Sequence, residues 1–278
     1  MTAMYLVLAG FLGTAVGSFL NVLIYRIKSG ENIVHKRSHC RDCGHTLRWY
    51  ELLPILSFAI QRAHCRHCGA KISWQYPAVE IATVLLFLQV FSFQPVLNQS
   101  SILEVLRTAF LLFATSGLVV IFVYDLKHYL IPDVVLFPLI GATLFARLFG
   151  VWTGGSLDFF GGWKLGAINI ENLVTSLVVG IAASAFFFAL FSVSRGSWMG
   201  FGDVKLAFFM GLLLGYPYTI VALFLAFLSG AIMGLALISL RMKKLKSQVP
   251  FAPFLIFGAV SALFWGQEII NWYLNLFL

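Results

Sequence analysis

Charge is what this sequence lacks. Only 11% of its 278 residues are Asp, Glu, Lys or Arg, where a soluble domain carries about 25%. Sixty per cent are hydrophobic, 28 of them Phe, and the mean hydropathy is +0.91. One water-soluble core cannot hide that much apolar surface, so lipid must be the main solvent. The formal charge of +8 raises nucleic acid as a partner, but placement matters more than the total. Nine Lys and Arg fall between Arg26 and Lys71 against three acidic residues, the pattern of a basic membrane-flanking loop, and no nucleic acid is expected. No cleavable signal peptide is expected either. Residues 4–24 are too long and apolar for an h-region, and no A-x-A-like site follows. There is no internal repeat or low-complexity tract.

What is present in quantity is long apolar runs. A spanning helix needs roughly 20 such residues at 1.5 Å each. Spans are predicted at 4–25, 77–97, 104–124, 130–150, 170–193, 204–217, 219–240 and 253–276. The sixth is short, and its boundary with the seventh at Gly215-Tyr216-Pro217 is the weakest. Pro132, Pro217 and Pro253 sit where a helix should start or stop. The expected fold is an all-α polytopic membrane protein of about eight helices, with a small cytoplasmic insert between the first two. Positive residues set the orientation. The basic loop 26–76 is cytoplasmic, which also places Lys127, His128, Arg195, Lys205 and the run Arg241, Lys243, Lys244 and Lys246 inside. The loops left outside (98–103, 151–169 and 216–218) hold only Lys164 among basic residues. The organisation expected is a first helix over 1–27, a polar insert over 28–76 and a membrane bundle over 77–278.

The insert carries all four cysteines. Cys40-Arg-Asp-Cys43 and Cys65-Arg-His-Cys68 are two C-x-x-C knuckles, each followed by a glycine (Gly44, Gly69) that permits the tight turn around thiolate sulfur. Two knuckles can close a tetrahedral Cys₄ zinc site, which is structural because no position stays open. The 21 residues between them sit just past the usual spacing of about 15–20. Disulfides are the alternative, disfavoured in a reducing cytoplasm. His39, His64 and His67 adjoin the knuckles and could replace a ligand or simply line a basic surface.

Two carboxylates stand at the membrane edge on one side: Asp125, closing the third span, and Asp203, opening the sixth in Gly200-Phe-Gly202-Asp203-Val-Lys205. Such a pair could activate water, one as base and the other as acid. Gly200 and Gly202 would let a substrate backbone approach. Simpler readings stay open: Asp203 as a helix cap, Asp133 as a first-turn acid beside Pro132, and Asp125 paired with Lys127 or His128.

The chain resembles the bacterial type IV prepilin peptidases over nearly its whole length. The resemblance rests on Gly17-Ser-Phe-Leu-Asn21-Val-Leu-Ile-Tyr25-Arg26, the two knuckles, Tyr76-Pro-Ala-Val-Glu80, Asp125-x₆-Pro132-Asp133, the G-x-G-D of Gly200 to Asp203 with Lys205, and Pro250-Phe-Ala-Pro253-Phe. It implies an aspartic endopeptidase with a catalytic pair at Asp125 and Asp203, supported by Gly200, Gly202, Lys205, Asp133 and Lys127. The implied substrates are type IV prepilins or type II secretion pseudopilins, cut after Gly. The implied second activity is N-methylation of the new terminus from S-adenosylmethionine, associated with the insert, with Glu80 either near the methyl donor or structural. Three positions depart from the family's usual pattern. Arg41 replaces a Pro in the first knuckle, Ala63 and His64 replace Gly and Lys or Arg before the second, and Phe201 replaces Met. The change at 63 and 64 bears on methyl transfer and leaves the protease motif intact.

A helix N-terminus at Asp203 favours its anion, and a helix C-terminus at Asp125 disfavours one, by about 0.3–1 kcal/mol. That points to Asp203 as base and Asp125 as acid, unless the third helix continues past Asp125. Gly10, Gly13 and Gly17 form a spaced face on the first helix, suited to packing within the bundle. A presenilin-type intramembrane protease, a proton-coupled transporter and a zinc-bearing secretion scaffold are the rival readings. The knuckled insert argues against the first, and the edge position of the aspartates against the second.

Overall fold

The computed structural model describes residues 2–32, 37–93, 102–152, 164–165, 168–169, 173–240 and 250–277. Its helices are α1 (Thr2–Ser29), α2 (Leu56–Ile60), α3 (Gln75–Phe93), α4 (Ile102–His128), α5 (Asp133–Trp152), α6 (Leu173–Ser194), α7 (Phe201–Leu214), α8 (Tyr218–Ser239) and α9 (Ala252–Phe277). A 3₁₀ turn lies at Trp49–Glu51, and two-residue strands β1 (Lys164–Leu165) and β2 (Ile168–Asn169) pair antiparallel. The eight long helices match the eight predicted spans one for one. Most of the expected outer loops 98–103 and 151–169, and the basic run from Arg241 to Lys246, lie outside the described residues.

Among the described residues, seven helices are long and apolar enough to cross a membrane. The eighth, α7, is the exception that the sixth predicted span half anticipated. Its 14 residues cover about 21 Å against a hydrocarbon core of about 30 Å. It begins three residues earlier than predicted and stops at Gly215, whose φ of +69° suits only glycine without cost. A helix that ends inside a bilayer leaves carbonyls unpaired. Buried Arg147 of α5 donates to the carbonyl of Leu213 (2.9 Å), and the Gly215 N–H bonds the Gly211 carbonyl (2.9 Å).

The chain divides into two compact units, 1–123 and 124–278, with the boundary inside α4. In the first, α1 lies along α3. Two of the three glycines on the α1 face make that possible: a Cβ at Gly13 would sit 2.7 Å from Val84 Cα, and one at Gly17 would sit 2.8 Å from Glu80 Cα. Gly10 faces open space. In the second unit α6 packs on α7 and α8 on α9, and α7 also touches α5, α8 and α9. Ten of the α7 residues are buried, which explains why it is apolar on every side. The rings of Phe187, Phe227 and Phe251 join α6, α8 and the start of α9.

Candidate active site and metal centre

Asp125 and Asp203 both belong to the second unit and are 5% and 7% exposed. Asp203 is the third residue of α7 after the Gly200 cap. Its backbone N–H bonds the Gly200 carbonyl (3.2 Å), and the Gly200 N–H lies beside its carboxylate. The Asp125 charge also acts on it. The backbone N–H of Ala252, the first residue of α9, is turned toward the Asp125 carboxyl, whose Oδ2 is buried without a hydrogen-bond partner. Because Pro253 follows, the start of α9 has one N–H fewer to satisfy, and Ala252 supplies the one turned to Asp125. The chain motif around Pro250 was legible in the sequence, but this donor role was not.

The structure therefore changes one expectation. α4 does not end at Asp125 but continues to His128, and the carboxyl meets the N-terminus of another helix. Both aspartates face positive helix ends, so the dipole argument for Asp203 as base and Asp125 as acid falls away.

Around the pair, Lys205 and Asp133 form an ion pair that ties the first turn of α7 to the first turn of α5. Lys205 also lies over the rings of Phe137 and Phe201, 5.4 and 5.7 Å from their centroids. The two glycines of the G-x-G-D run differ. Ile131 already occupies the space beside Gly202, 3.0 Å from where a Cβ would be, while the space beside Gly200 is open. Lys127 is exposed in the last turn of α4, and the His128 ring packs edge-on against Tyr124.

The four cysteines come together in the first unit. Their sulfurs lie within 4.8 Å of one another, none is in a disulfide, and Cys40 and Cys68 Sγ are 3.9 Å apart. Four sulfurs about 2.3 Å from a zinc ion would stand ~3.8 Å apart, so the donor set fits that metal. The two knuckles have the same build. Gly44 N–H bonds Cys40 O and Gly69 N–H bonds Cys65 O, each glycine with a positive φ (71° and 73°), and each knuckle is closed by a short bridge (His39 to Thr46, His64 to Lys71). Backbone N–H groups of Cys68 and His67 pull the Cys65 thiol down to about 7. At Cys68 the Ala70 N–H also lowers it, but desolvation and the neighbouring thiols outweigh that and push it up to about 12. Without a cation, four adjacent sulfurs resist sharing more than one negative charge; a divalent ion removes that conflict. The histidines stand outside the set: His45 and His67 stack on each other at 4.7 Å, and the Nδ1 atoms of His39 and His64 face the carbonyls of Arg37 and Arg62.

Glu80 of α3 is 5% exposed. It accepts the N–H of Ile55 at 2.7 Å, with the Ser18 hydroxyl nearby. Nearby, the Asn21 amide donates to the Tyr76 carbonyl (3.1 Å) and accepts from Gln75 (3.2 Å). Arg41 reaches from the first knuckle over the Tyr25 and Tyr76 rings, at 4.2 and 5.4 Å. Ser18, Asn21, Tyr25, Arg41, Tyr76 and Glu80 line a cavity of about 240 Å³ within the first unit. Sequence reasoning gave no role to Asn21, Tyr25 or Arg41.

Residues 11–93 match the Bacterial Peptidase A24 N-terminal domain, and residues 112–235 match the Type IV leader peptidase family. Among curated proteins, the chain is 30% identical to the Prepilin leader peptidase/N-methyltransferase of Pseudomonas putida, covering 96% of this chain and 93% of that one. It is 29% identical to the protein of the same name from Pseudomonas aeruginosa (95% and 91% covered) and 30% identical to that of Bacillus subtilis (96% and 96%). No solved structure matches the chain.

Proposed function

This chain belongs to the type IV leader peptidase family and is a multi-pass membrane peptidase; from that premise we propose that it removes leaders from prepilins or pseudopilins after Gly, at the cytoplasmic face of a bacterial inner membrane. We further propose that it methylates the new N-terminus. The nine Lys and Arg between residues 26 and 71 support the cytoplasmic placement. Cleavage is assigned to the bundle over 77–278 and methylation to the insert over 28–76 with the helices that flank it.

The observation that carries the peptidase reading is the pair of buried carboxylates Asp125 and Asp203, one of them with an unpartnered oxygen. Two buried carboxyls that feel each other share a proton more readily than both ionise. The ionised member takes a proton from a water as it attacks the scissile carbonyl. The protonated member donates to the carbonyl oxygen and later passes a proton to the leaving amine. Neither aspartate is favoured for either role, because each faces a helix N-terminus. Gly200 leaves open space beside Asp203 for the substrate chain, whereas Gly202 serves packing against Ile131. Lys205 and Asp133 hold the starts of α7 and α5 together and so fix Asp203 in place. Lys127, exposed two residues beyond Asp125, lies where a substrate approaching from the cytoplasm would pass.

Cys40, Cys43, Cys65 and Cys68 would hold zinc as a closed structural site that organises the insert. Bound in the insert and its flanking helices, S-adenosylmethionine would supply a methyl group for the new N-terminal amine.

The test uses the purified chain in proteoliposomes with a pilin-like precursor and S-adenosylmethionine, read by mass spectrometry of the new N-terminus. Asp125→Asn and Asp203→Asn should each lower cleavage by roughly 10²–10⁴-fold with folding retained. Cleavage persisting at wild-type rate in either variant would remove the dyad.

A further inference from the structure

The insert is not polar throughout. From Leu52 to Gln61 ten residues carry no charge and eight are apolar. That is far short of the roughly 20 that cross a bilayer, but long enough to lie in its surface. The structure breaks the run into a turn and the five-residue α2, and its two sides serve different ends. Ser57, Phe58 and Gln61 line the cavity. Leu56 and Ile60, four residues apart and so on one face, are open, as are Leu53 and Trp49, and the turn at Trp49–Glu51 touches α2. Outside a membrane span, a row of bare apolar side chains marks a contact surface.

The height of that row along α3 identifies what covers it. Ile55, at the head of α2, gives its N–H to Glu80 (2.7 Å), which lies five residues into α3 and so about 7.5 Å along its axis. The 19 residues of α3 rise about 28 Å, and a hydrocarbon core of about 30 Å uses all of them. Gln75 therefore stands at the edge of the hydrocarbon, and the run beside Glu80 is level with lipid rather than water. Trp74, the residue before α3, is 75% exposed and sets its ring edge-on against Phe58 at 4.9 Å. Trp49 is exposed to the same extent. Membrane interfaces are where such indoles gather.

Cations border the same surface. Arg48 donates to the Tyr50 hydroxyl (3.2 Å) and Arg66 lies over the same ring (5.4 Å), so both gather beside Trp49, and Arg62 follows directly after the run. All three are exposed. Glu51, between Arg48 and Arg62 in sequence, is buried with its carboxylate on the Arg48 backbone N–H (2.8 Å). Apolar side chains at this height with guanidinium groups beside them match a leaflet of anionic headgroups.

We propose that residues 48–62, with Trp74, form a lipid-docking surface. Leu53, Leu56 and Ile60 enter the membrane interface between the two indoles, and Arg48, Arg62 and Arg66 hold anionic phosphate headgroups. The insert then lies against the bilayer instead of hanging from α1 and α3 by its two ends, whichever reaction it serves.

The test places the full-length chain, with p-benzoylphenylalanine at Leu56 or at Ile60, in nanodiscs of phosphatidylcholine and phosphatidylglycerol. After irradiation the adducts are identified by mass spectrometry. Both side chains are open, so the label displaces no packing. Lipid adducts are expected at both positions, with phosphatidylglycerol enriched about fivefold over its share of the disc, the attraction of one cation near the surface. The triple change Arg48→Gln, Arg62→Gln and Arg66→Gln should abolish that enrichment. Adducts joining two copies of the chain, reaction with water alone, or lipid adducts in bulk proportion would each overturn the proposal. A second measurement needs no label: in discs of brominated lipid, changing Trp49→Phe and Trp74→Phe together should remove quenched emission and leave the unquenched remainder unchanged. Loss from the unquenched remainder instead would place both indoles in water and overturn the docking.

Discussion

Gly17→Ala is a one-carbon change in a lipid-facing protein that should separate the two proposed activities. An added Cβ would stand 2.8 Å from the Glu80 Cα, 3.2 Å from Thr83 Oγ1 and 3.3 Å from Thr83 Cβ. The Glu80 contact is with backbone, so no rotamer change relieves it. Ordinary contact begins near 3.4 Å, so α3 must move away from α1 by about 0.6 Å, a kind of overpacking that costs roughly 1–3 kcal/mol. The displaced residue is the one that bonds Ile55 at 2.7 Å; carried outward by the same amount, that bond stretches toward the limit at which it ceases to count. Methylation should fall by about tenfold or more, equivalent to 1.4 kcal/mol of lost interaction. Leader cleavage, proposed to rest on Asp125 and Asp203, should stay within about twofold, since sites without shared partners behave additively. The assay is one reaction mixture: the mass of the new N-terminus gives methylated fraction, and its total gives cleavage. A Gly17→Ala chain that methylates normally would refute the close α1–α3 approach as a support of the methylating unit. Equal loss of both activities would refute their separation.

Gly69→Ala places a side chain at φ +73° in the second knuckle, a conformation costing an L-residue about 1–2 kcal/mol. Its metal should be roughly 5–30-fold easier to remove, measured by competition with a chromogenic chelator, and unchanged retention would argue against the knuckle as a metal loop. Ala63→Gly relieves a positive φ (59°) but adds freedom to the unfolded chain. The net should be a melting temperature higher by about 2 °C, and a lower one would mean the Ala63 methyl packs usefully. Lys205→Met removes the ion pair with Asp133 while leaving the apolar stem. Cleavage should fall with the same pH profile, and Asp133→Asn should fall with it by a similar factor. An Asp133→Asn chain of wild-type activity would show that Lys205 acts in some way other than through that pair.

The number and order of the long helices were legible because lipid leaves few options: a segment must bury its own backbone bonds and present apolar side chains, and both demands are written as long hydrophobic runs. The cysteine cluster was legible for a similar reason, since thiolate geometry forces the C-x-x-C-Gly pattern. Helix ends were less so. Nothing in the residues around 125 says that α4 continues for another turn, because Leu126-Lys127-His128 reads equally well as helix or loop. Hydropathy marked the sixth span as short and its boundary at Gly215 as weak, but not how its end is satisfied, since the Arg147 that caps it is 66 residues away from Leu213. The cavity was invisible for the most basic reason: its walls come from three segments whose convergence depends on two glycines allowing two helices to touch.

That convergence also bears on the positions where this chain departs from its family's usual pattern. Ala63 has φ +59° and follows Arg62 at +49°, so the glycine usual at 63 answers a backbone requirement at the end of α2. Ala63 meets it with strain, keeping its bonds to the Phe58 carbonyl and the Ile72 N–H. The ring of His64 turns to the Arg62 carbonyl, and neither residue 63 nor residue 64 lines the cavity. The groups that do line it include the Asn21, Tyr25, Tyr76 and Glu80 of the helical motifs. What the departure changes is the cost of holding one turn, about 1 kcal/mol, in an insert whose folding energy a metal on the four cysteines would largely supply. With that metal in place the cost should be tolerated, so methyl transfer is expected to depend on the metal more than on Ala63 and His64.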